Sequence, residues 1–143
     1  MPQESPARDE MDPNRQVIDE FRARGGTVGG RFARLPLLLL TTVGARSGLR
    51  RTVPLTYVAD GERYVVAAGA AGANPAWCHN VLAHPAVTVE VGTALFAAVA
   101  RPAAGAERNG LFTRYVADQP QLTSYQAMAS REVPMIVLTP AQR

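Results

Sequence analysis

The chain has 143 residues, of which 47% are hydrophobic and 19% are charged, a balance typical of one globular domain with a single core. Its 15 basic residues, all arginine, exceed the 12 acidic residues and give a formal net charge of +3. Nucleic-acid-binding proteins usually carry a larger basic face, so we expect a local anionic ligand and no nucleic acid.

The cysteine content and the apolar segments indicate the cellular compartment in which we expect the protein. Cys78 is the single cysteine, which excludes an intrachain disulfide and suits a reducing cytoplasm. No basic segment followed by an apolar run opens the sequence, and the apolar run over residues 35–40 is far too short to cross a bilayer. We expect a cytoplasmic protein, with peripheral membrane contact left open.

An arm and one helix precede the strands. Residues 1–11 are polar and predict a loose arm. Asp12-Pro13 can cap and begin a helix that Gly25-Gly26 ends. A thin apolar stripe on this helix consists of Val17, Ile18 and Phe21.

Most of the chain after residue 35 predicts strands. About six are expected, over residues 37–42, 52–59, 63–68, 87–91, 94–101 and 133–139. In the second of these, one face carries Val53, Leu55, Tyr57 and Ala59. Asp60-Gly61 and Gly92-Thr93 predict hairpin turns.

Three helices are predicted among these strands. Asn74 would cap the first, with Pro75 as its first residue, and that helix would end before His84. The other two cover residues 106–117 and 121–129. The antiparallel hairpins and the few helices predict a mostly β, α+β barrel or sheet and disfavour a parallel doubly wound sheet.

The connection between the first two strands predicts an anion site. It carries Arg46, Arg50 and Arg51 on a turn of small residues, with no carboxylate. Guanidiniums offer forked donors to phosphate or carboxylate oxygens, and Ser47 adds a hydroxyl. The alternative interpretation is a solvated basic hairpin turn.

A second group of residues lies in the segment 69–80. Its glycines and alanines would let a flat ligand approach the backbone closely, and a helix begins just after them. Trp77 and Asn80, three apart, would offer a stacking wall and an amide. The alternative is a tryptophan buried in the core, with Asn80 holding a loop.

Catalysis by protein groups alone has little support. His79 and His84 would face different directions on a short helix, no carboxylate pair lies in an apolar setting, and Cys78 reads as a packed thiol. A bound cofactor would then carry any reaction while the protein positions it. Of the carboxy-terminal aromatic residues, Tyr125 is the one we expect to reach a cleft.

Five segments in order closely resemble the deazaflavin (F420)-dependent nitroreductase and quinone reductase family: NRQVIDEFRARGG, GGRF, LLLLTTVGARSGLRRTVPL, NPAWCHNVLAHPAVTVEV and YQAMASREVPMIVLTP. The resemblance covers residues 14–140. It implies a split β-barrel with flanking helices, like those of flavin reductases and pyridoxamine oxidases, and a homodimer. It also implies that coenzyme F420, when reduced, gives a hydride to a small-molecule acceptor such as a quinone or a nitroaromatic compound.

The resemblance carries roles onto matching positions of this sequence. The residues matched to the motif for the phosphate and acidic tail of F420 are Arg46, Ser47, Gly48 and Arg51. The residues matched to segments beside the deazaflavin ring and beyond the loop are Thr52, Pro54, Leu55, Ala67, Ala68, Trp77 and Asn80. Tyr125 is the candidate proton donor to the reduced product, and no metal is implied.

Departures from the family pattern leave alternatives open. The loop before Trp77 is about two residues shorter than usual and lacks basic or serine residues, and Leu122 stands where aromatic residues can occur. The alternatives are a protein that binds F420 or a flavin without efficient turnover, and an FMN-dependent split-barrel oxidoreductase. The predicted division is residues 1–30, an arm with an amphipathic helix, and residues 31–143, the split-barrel cofactor-binding domain.

Overall fold

The computed structural model describes residues 13–69, 74–129 and 131–141. Seven antiparallel strands form one sheet in the order β2-β1-β5-β6-β7-β4-β3. The strands are β1 (Leu37–Val43), β2 (Arg50–Thr56), β3 (Val58–Asp60), β4 (Arg63–Ala67), β5 (Ala86–Val91), β6 (Ala94–Pro102) and β7 (Met135–Pro140). The helices are α1 (Pro13–Ala23), α2 (Ala76–Ala83), α3 (Gly105–Asp118) and α4 (Leu122–Met128), with a 3-10 turn at Gly30–Phe32.

The predicted α+β class is confirmed, as are the predicted helices within a residue or two at their ends. The single strand predicted over residues 52–59 is wrong. Tyr57 lies between β2 and β3: its N–H donates to the carbonyl of Pro36 over 3.1 Å, which continues the β1–β2 register by one residue, and from Val58 onward the chain pairs with β4 instead. The sheet therefore has seven strands and not six, and Ala59 is exposed on β3 instead of sharing the buried face with Val53.

The interruption at Tyr57 also shapes the sheet. β2 pairs only with β1, whereas β3 pairs only with β4, and these two strands lie at opposite ends of the sheet order. Because one residue separates β2 from β3, the two edges must come close together, and the sheet curls into a barrel. β2 nevertheless keeps one side without a strand partner in the described sheet.

The strands bury side chains on both faces of the curled sheet. Alternate residues of β1 point in opposite directions, so its four leucines divide between two clusters. Leu38 and Leu40 pack inside the barrel with Trp77 and Cys78 of α2. Leu37 and Leu39 pack outside it, against α1. This double burial explains why β1 reads as a continuous apolar run.

The helices cover parts of the outer face. Ile18 and Phe21 of α1 are buried on β1, which confirms the predicted apolar stripe. Tyr115 of α3 and Leu122 of α4 cover Val65 of β4 in a separate cluster. In the parts of the chain that the structure describes, no helix has the length and apolar character needed to cross a membrane.

α1 ends against the β5–β6 turn. Gly25 and Gly26 have φ angles of +65° and +99°, and the Gly26 N–H donates to the carbonyl of Phe21 over 2.8 Å, so the predicted glycine stop is confirmed. Arg22 pairs with Glu90 over 2.8 Å nearby. The predicted cap at Asp12 and the arm over residues 1–11 lie outside the described residues, and the division at residue 30 stays a prediction.

Gly26 offers a test of this contact. A Cβ atom there would lie 2.7 Å from the Cα of Gly92, and its positive φ disfavours any other residue. We expect Gly26→Ala to lower the free energy of unfolding by about 1–3 kcal/mol, measured by urea denaturation. The control is Gly110→Ala in α3, where a Cβ meets nothing within 4 Å. It should leave stability unchanged or raise it, and equal losses in both variants would contradict the packing assigned to Gly26.

Candidate functional site

The arginine-bearing turn between β1 and β2 is closed by its own hydrogen bonds. The Gly44 N–H donates to the carbonyl of Leu49 over 2.8 Å, and the Gly48 N–H donates to the carbonyl of Gly44 over 3.0 Å. The Leu49 N–H donates to Ser47 Oγ over 3.0 Å. A Cβ on Gly44 would overlap that same oxygen. A side chain at residue 44 would therefore displace the Ser47 hydroxyl from its bond to the Leu49 N–H, so Gly44 and Ser47 together shape the turn.

Asn80 of α2 fixes this turn against the helix. Its Oδ1 accepts from the Ala45 N–H over 2.9 Å, and its Nδ2 donates to Thr42 Oγ1 over 3.0 Å. Asn80 is buried, and both ends of its amide are engaged with the protein. These two hydrogen bonds join α2 to the turn, so Asn80 acts as a positioning residue for the turn.

The turn carries positive charge that nearby carboxylates do not neutralise. Arg46, Arg50 and Arg51 are exposed, and none of them has a carboxylate partner among the described residues. Arg50 donates only to Thr88 Oγ1, over 3.3 Å. Elsewhere, by contrast, Arg22 pairs with Glu90. An unneutralised group of guanidiniums is suited to an anionic ligand supplied from solution.

A groove of about 870 Å³ lies between this turn and α2. The predicted site residues that line it are Arg46, Ser47, Arg51, Trp77 and Asn80. Trp77 is only 7% exposed and belongs to the barrel core, so it is a core residue that also forms part of the groove wall. The groove thus combines an arginine-rich end with an apolar wall.

The predicted cap of α2 is wrong. The helix begins at Ala76, Pro75 is the residue before its first turn, and no side chain caps it. Asn74 Oδ1 instead accepts from Arg131 Nε over 2.7 Å. Competition from this cationic donor explains why Asn74 does not bond to the helix N–H groups.

A second cavity of about 260 Å³ lies at the other end of β2, between that strand, the end of β4 and α4. The predicted site residues that line it are Pro54, Leu55, Ala67 and Tyr125. Tyr125 is 40% exposed at its rim. The predictions therefore fall into two groups, one at each end of β2.

Three predicted site residues line neither cavity. Gly48 has a φ of +74° and serves the turn. Thr52 Oγ1 is hydrogen-bonded to Thr41 Oγ1 over 2.7 Å. Ala68 is fully buried in the barrel, and its N–H donates to the carbonyl of Pro134 over 2.9 Å.

The wall of the second cavity is fixed by α4. A Cβ on Gly69 would lie 2.9 Å from Leu122 Cδ1 and 3.3 Å from Tyr125 Cδ2, so a larger residue there would displace side chains of α4. Arg108 donates to Gln126 Oε1 over 2.9 Å and to the carbonyl of Val133 over 2.8 Å. Gln126 in turn accepts from the Val133 N–H. These bonds hold the helix that carries Leu122 and Tyr125.

Thr56 and Tyr115 are among the lining residues of this cavity that were not predicted as site residues from the sequence. Tyr115 Oη lies 2.9 Å from Thr56 Oγ1 and also donates to the Thr56 carbonyl over 3.2 Å. Burial raises the pKa of Tyr115, and the hydrogen bond with Thr56 opposes this rise. Tyr115 shares a helical spacing with Leu111 and reads as an ordinary core residue. No local signal joins it to Thr56, 59 positions away.

Cys78 takes no part in either cavity. Its thiol is buried in the barrel core, and burial raises its pKa. The prediction of a packed thiol is confirmed.

Comparison with known proteins identifies the family of the chain. A family model described as F420H(2)-dependent quinone reductase matches residues 13–140. The F420H(2)-dependent quinone reductase Rv1261c of Mycobacterium tuberculosis is 34% identical over 125 residues, which cover 83% of this chain and 84% of the relative. Among solved structures, an F420-H2 dependent reductase (FDR-A) has a TM-score of 0.66 and 34% identity, covering 72% of this chain and 93% of its own. A protein described as a domain-swapped dimer has a TM-score of 0.68 and 30% identity, covering 94% and 99%.

The Asn80 contacts generate a stability prediction. Asn80→Ala would leave the Ala45 N–H and Thr42 Oγ1 without their partner, and we expect unfolding free energy to fall by about 1–3 kcal/mol, measured by urea denaturation. Asn109→Ala is the matched control, because that exposed side chain accepts only a 3.3 Å bond from Arg108. A loss no larger than that of the control would contradict the role assigned to Asn80.

Proposed function

The chain belongs to the F420H(2)-dependent quinone reductase family, and we propose that it is an enzyme that uses reduced coenzyme F420 to reduce quinones. When bound, reduced F420 supplies a hydride from its deazaflavin ring. The observation that carries the proposal is the group of unneutralised guanidiniums at the mouth of a groove with an apolar wall. A flat coenzyme with a phosphate and an acidic tail matches both features.

The turn would hold the anionic part of F420. Arg46 and Arg51 line the groove and are exposed, so their donors are available to phosphate or carboxylate oxygens. Asn80 holds the turn in position by accepting a hydrogen bond from the Ala45 N–H. These residues fit F420 better than a smaller flavin nucleotide, because a single phosphate would use only part of the cationic group.

β2 connects the arginine-rich end with the second cavity. A strand rises about 3.3 Å per residue, so Arg51 and Leu55 are separated by roughly 13 Å. β2 is an edge strand, and Pro54 fits such a position because it has no N–H to pair. We propose that Pro54 and Leu55 orient the flat part of the coenzyme while the turn holds its tail.

The second cavity is the candidate acceptor site. Its lining combines apolar side chains, such as Phe32 and Leu122, with polar ones, such as Thr56. Its volume of about 260 Å³ suits a compact ring system. A quinone is our proposed acceptor, and nitroaromatic compounds are a further candidate class. Tyr125 at the rim remains the proposed proton donor.

Assembly and location are also proposals. We propose a homodimer, since a relative that is 30% identical is described as a domain-swapped dimer. A cytoplasmic location and peripheral contact with a membrane remain proposals from the sequence. The alternatives are an FMN-dependent oxidoreductase and a protein that binds F420 without efficient turnover.

The cofactor proposal is tested by titrating the protein with F420 and, separately, with FMN. Binding is measured by the change in cofactor fluorescence. We expect tight F420 binding and weaker FMN binding, and then oxidation of reduced F420 on addition of a 1,4-naphthoquinone. Preference for FMN would favour the flavin alternative. F420 binding without naphthoquinone-dependent oxidation would favour a binding protein.

Arg51→Ala tests the arginine turn. We expect a loss of about 1.5–3 kcal/mol in F420 binding, measured as the change in dissociation constant, because a charged hydrogen bond to the tail is removed. Arg101→Ala is the control. Arg101 forms an ion pair with Glu107 at 2.8 Å, and it lines neither of the two cavities. An unchanged dissociation constant for Arg51→Ala would count against the assignment.

A further inference from the structure

We propose that the Thr56 hydroxyl, held in place by Tyr115, is the polar group that binds the acceptor's carbonyl oxygen in the second cavity. The inference rests on the proposed function, because it presumes that a quinone is reduced there. Thr56 would contact the substrate directly. Tyr115 would act through Thr56 as a positioning residue.

The two hydroxyls form a pair at the cavity wall. Thr56 Oγ1 and Tyr115 Oη are 2.9 Å apart, and both residues line the cavity. Tyr115 is only 4% exposed, whereas Thr56 is half-buried. The threonine hydroxyl is therefore the member of the pair that a ligand can reach more easily.

The hydroxyl protons of Thr56 and Tyr115 allow two hydrogen-bond arrangements. Each hydroxyl has one proton and can accept two hydrogen bonds. When Tyr115 donates to the Thr56 carbonyl, over 3.2 Å, Thr56 can donate to Tyr115 Oη. When Tyr115 donates to Thr56 Oγ1 instead, the Thr56 proton is free to point into the cavity. The pair can therefore offer the cavity an acceptor in the first arrangement and a donor in the second.

Both arrangements suit a quinone and its product. Quinone oxygens only accept hydrogen bonds, whereas hydroquinone hydroxyls can also donate them. Negative charge develops on the acceptor oxygen during reduction, so a positioned donor there stabilises the transition state more than the bound quinone. A tyrosine phenol with its ordinary pKa of about 10 is protonated at neutral pH, and burial raises the pKa of Tyr115 further, so the pair keeps both protons.

Other polar groups of the cavity are less well placed for this role. Gln121 Nε2 donates to Gln119 Oε1 over 3.3 Å, and Gln119 itself donates to the carbonyl of Tyr57. Tyr125 lies at the rim and is 40% exposed to solvent. Thr56 is the polar side chain that combines access to the cavity with a buried hydrogen-bonded support.

The test compares Thr56→Val, Thr56→Ser and Tyr115→Phe with the wild type, using a 1,4-naphthoquinone as the oxygen-bearing acceptor and a phenazinium dye as an acceptor without carbonyl groups. We expect Thr56→Val to lower kcat/KM for the naphthoquinone about tenfold or more, mainly through kcat. Turnover of the dye and the dissociation constant of F420 should stay within twofold. Thr56→Ser should restore most of the activity, and Tyr115→Phe should cause an intermediate loss.

Thr113→Val is the matched control. It removes a threonine hydroxyl from α3, the helix that carries Tyr115, and that hydroxyl donates to the Asn109 carbonyl at the surface. Its kinetics should match the wild type. Thermal unfolding of every variant identifies a general loss of structure, and if Thr56→Val does not fold, the Thr56→Ser and Tyr115→Phe comparison decides the question.

Three results would overturn the inference: unchanged naphthoquinone kinetics in Thr56→Val, equal losses with both acceptors, or a Tyr115→Phe variant that equals the wild type. A failure of the proposed function would give a different result, because the wild type itself would then not bind F420 or would not reduce the naphthoquinone.

Discussion

The interruption of the strand at Tyr57 is the constraint on which the rest of the structure depends. It sends the chain from one edge of the sheet to the other within a single residue, so that β2 and β3 close the barrel from opposite ends. β2 remains an edge strand beside the end of β4. An uninterrupted strand would extend the pairing and remove this opening. The second cavity exists because the barrel closes at a corner and leaves β2 without a strand partner on one side.

Many elements could be predicted because their signals are local. Glycines at residues 25 and 26 end α1, and four consecutive leucines mark a strand that is buried on both faces. The break at Tyr57 could not be predicted, because the residues on both sides keep the alternation of one continuous strand. It is the point at which the chain stops pairing with β1 and begins to pair with β4, and this exchange of partners is set by tertiary structure. Tertiary contact overrides local pattern there.

In the candidate site, too, some features could be predicted from local sequence and others could not. The arginines could be read from the sequence, because three guanidiniums without a carboxylate form an unusual local group. The role of Asn80 could not, since its two partners lie 35 and 38 positions away. The choice between a core tryptophan and a ligand wall also depended on the fold, and Trp77 serves as both. Residue types thus predicted the chemistry of the ligand, whereas the positioning groups required the three-dimensional contacts.

If the arginine turn holds the coenzyme and the second cavity holds the acceptor, as we propose, the two cavities separate affinity for the coenzyme from selectivity for the acceptor. The guanidiniums near the groove are exposed, so their attraction for an anionic tail is screened by salt and is tolerant of the exact geometry. The second cavity is smaller, and its lining combines apolar and polar side chains whose placement would decide which acceptor fits. Changes in its lining residues would therefore alter the choice of acceptor while the turn still holds the coenzyme. Under the proposed assignment, the arginine turn would serve one cofactor while the lining of the second cavity could change with the acceptor.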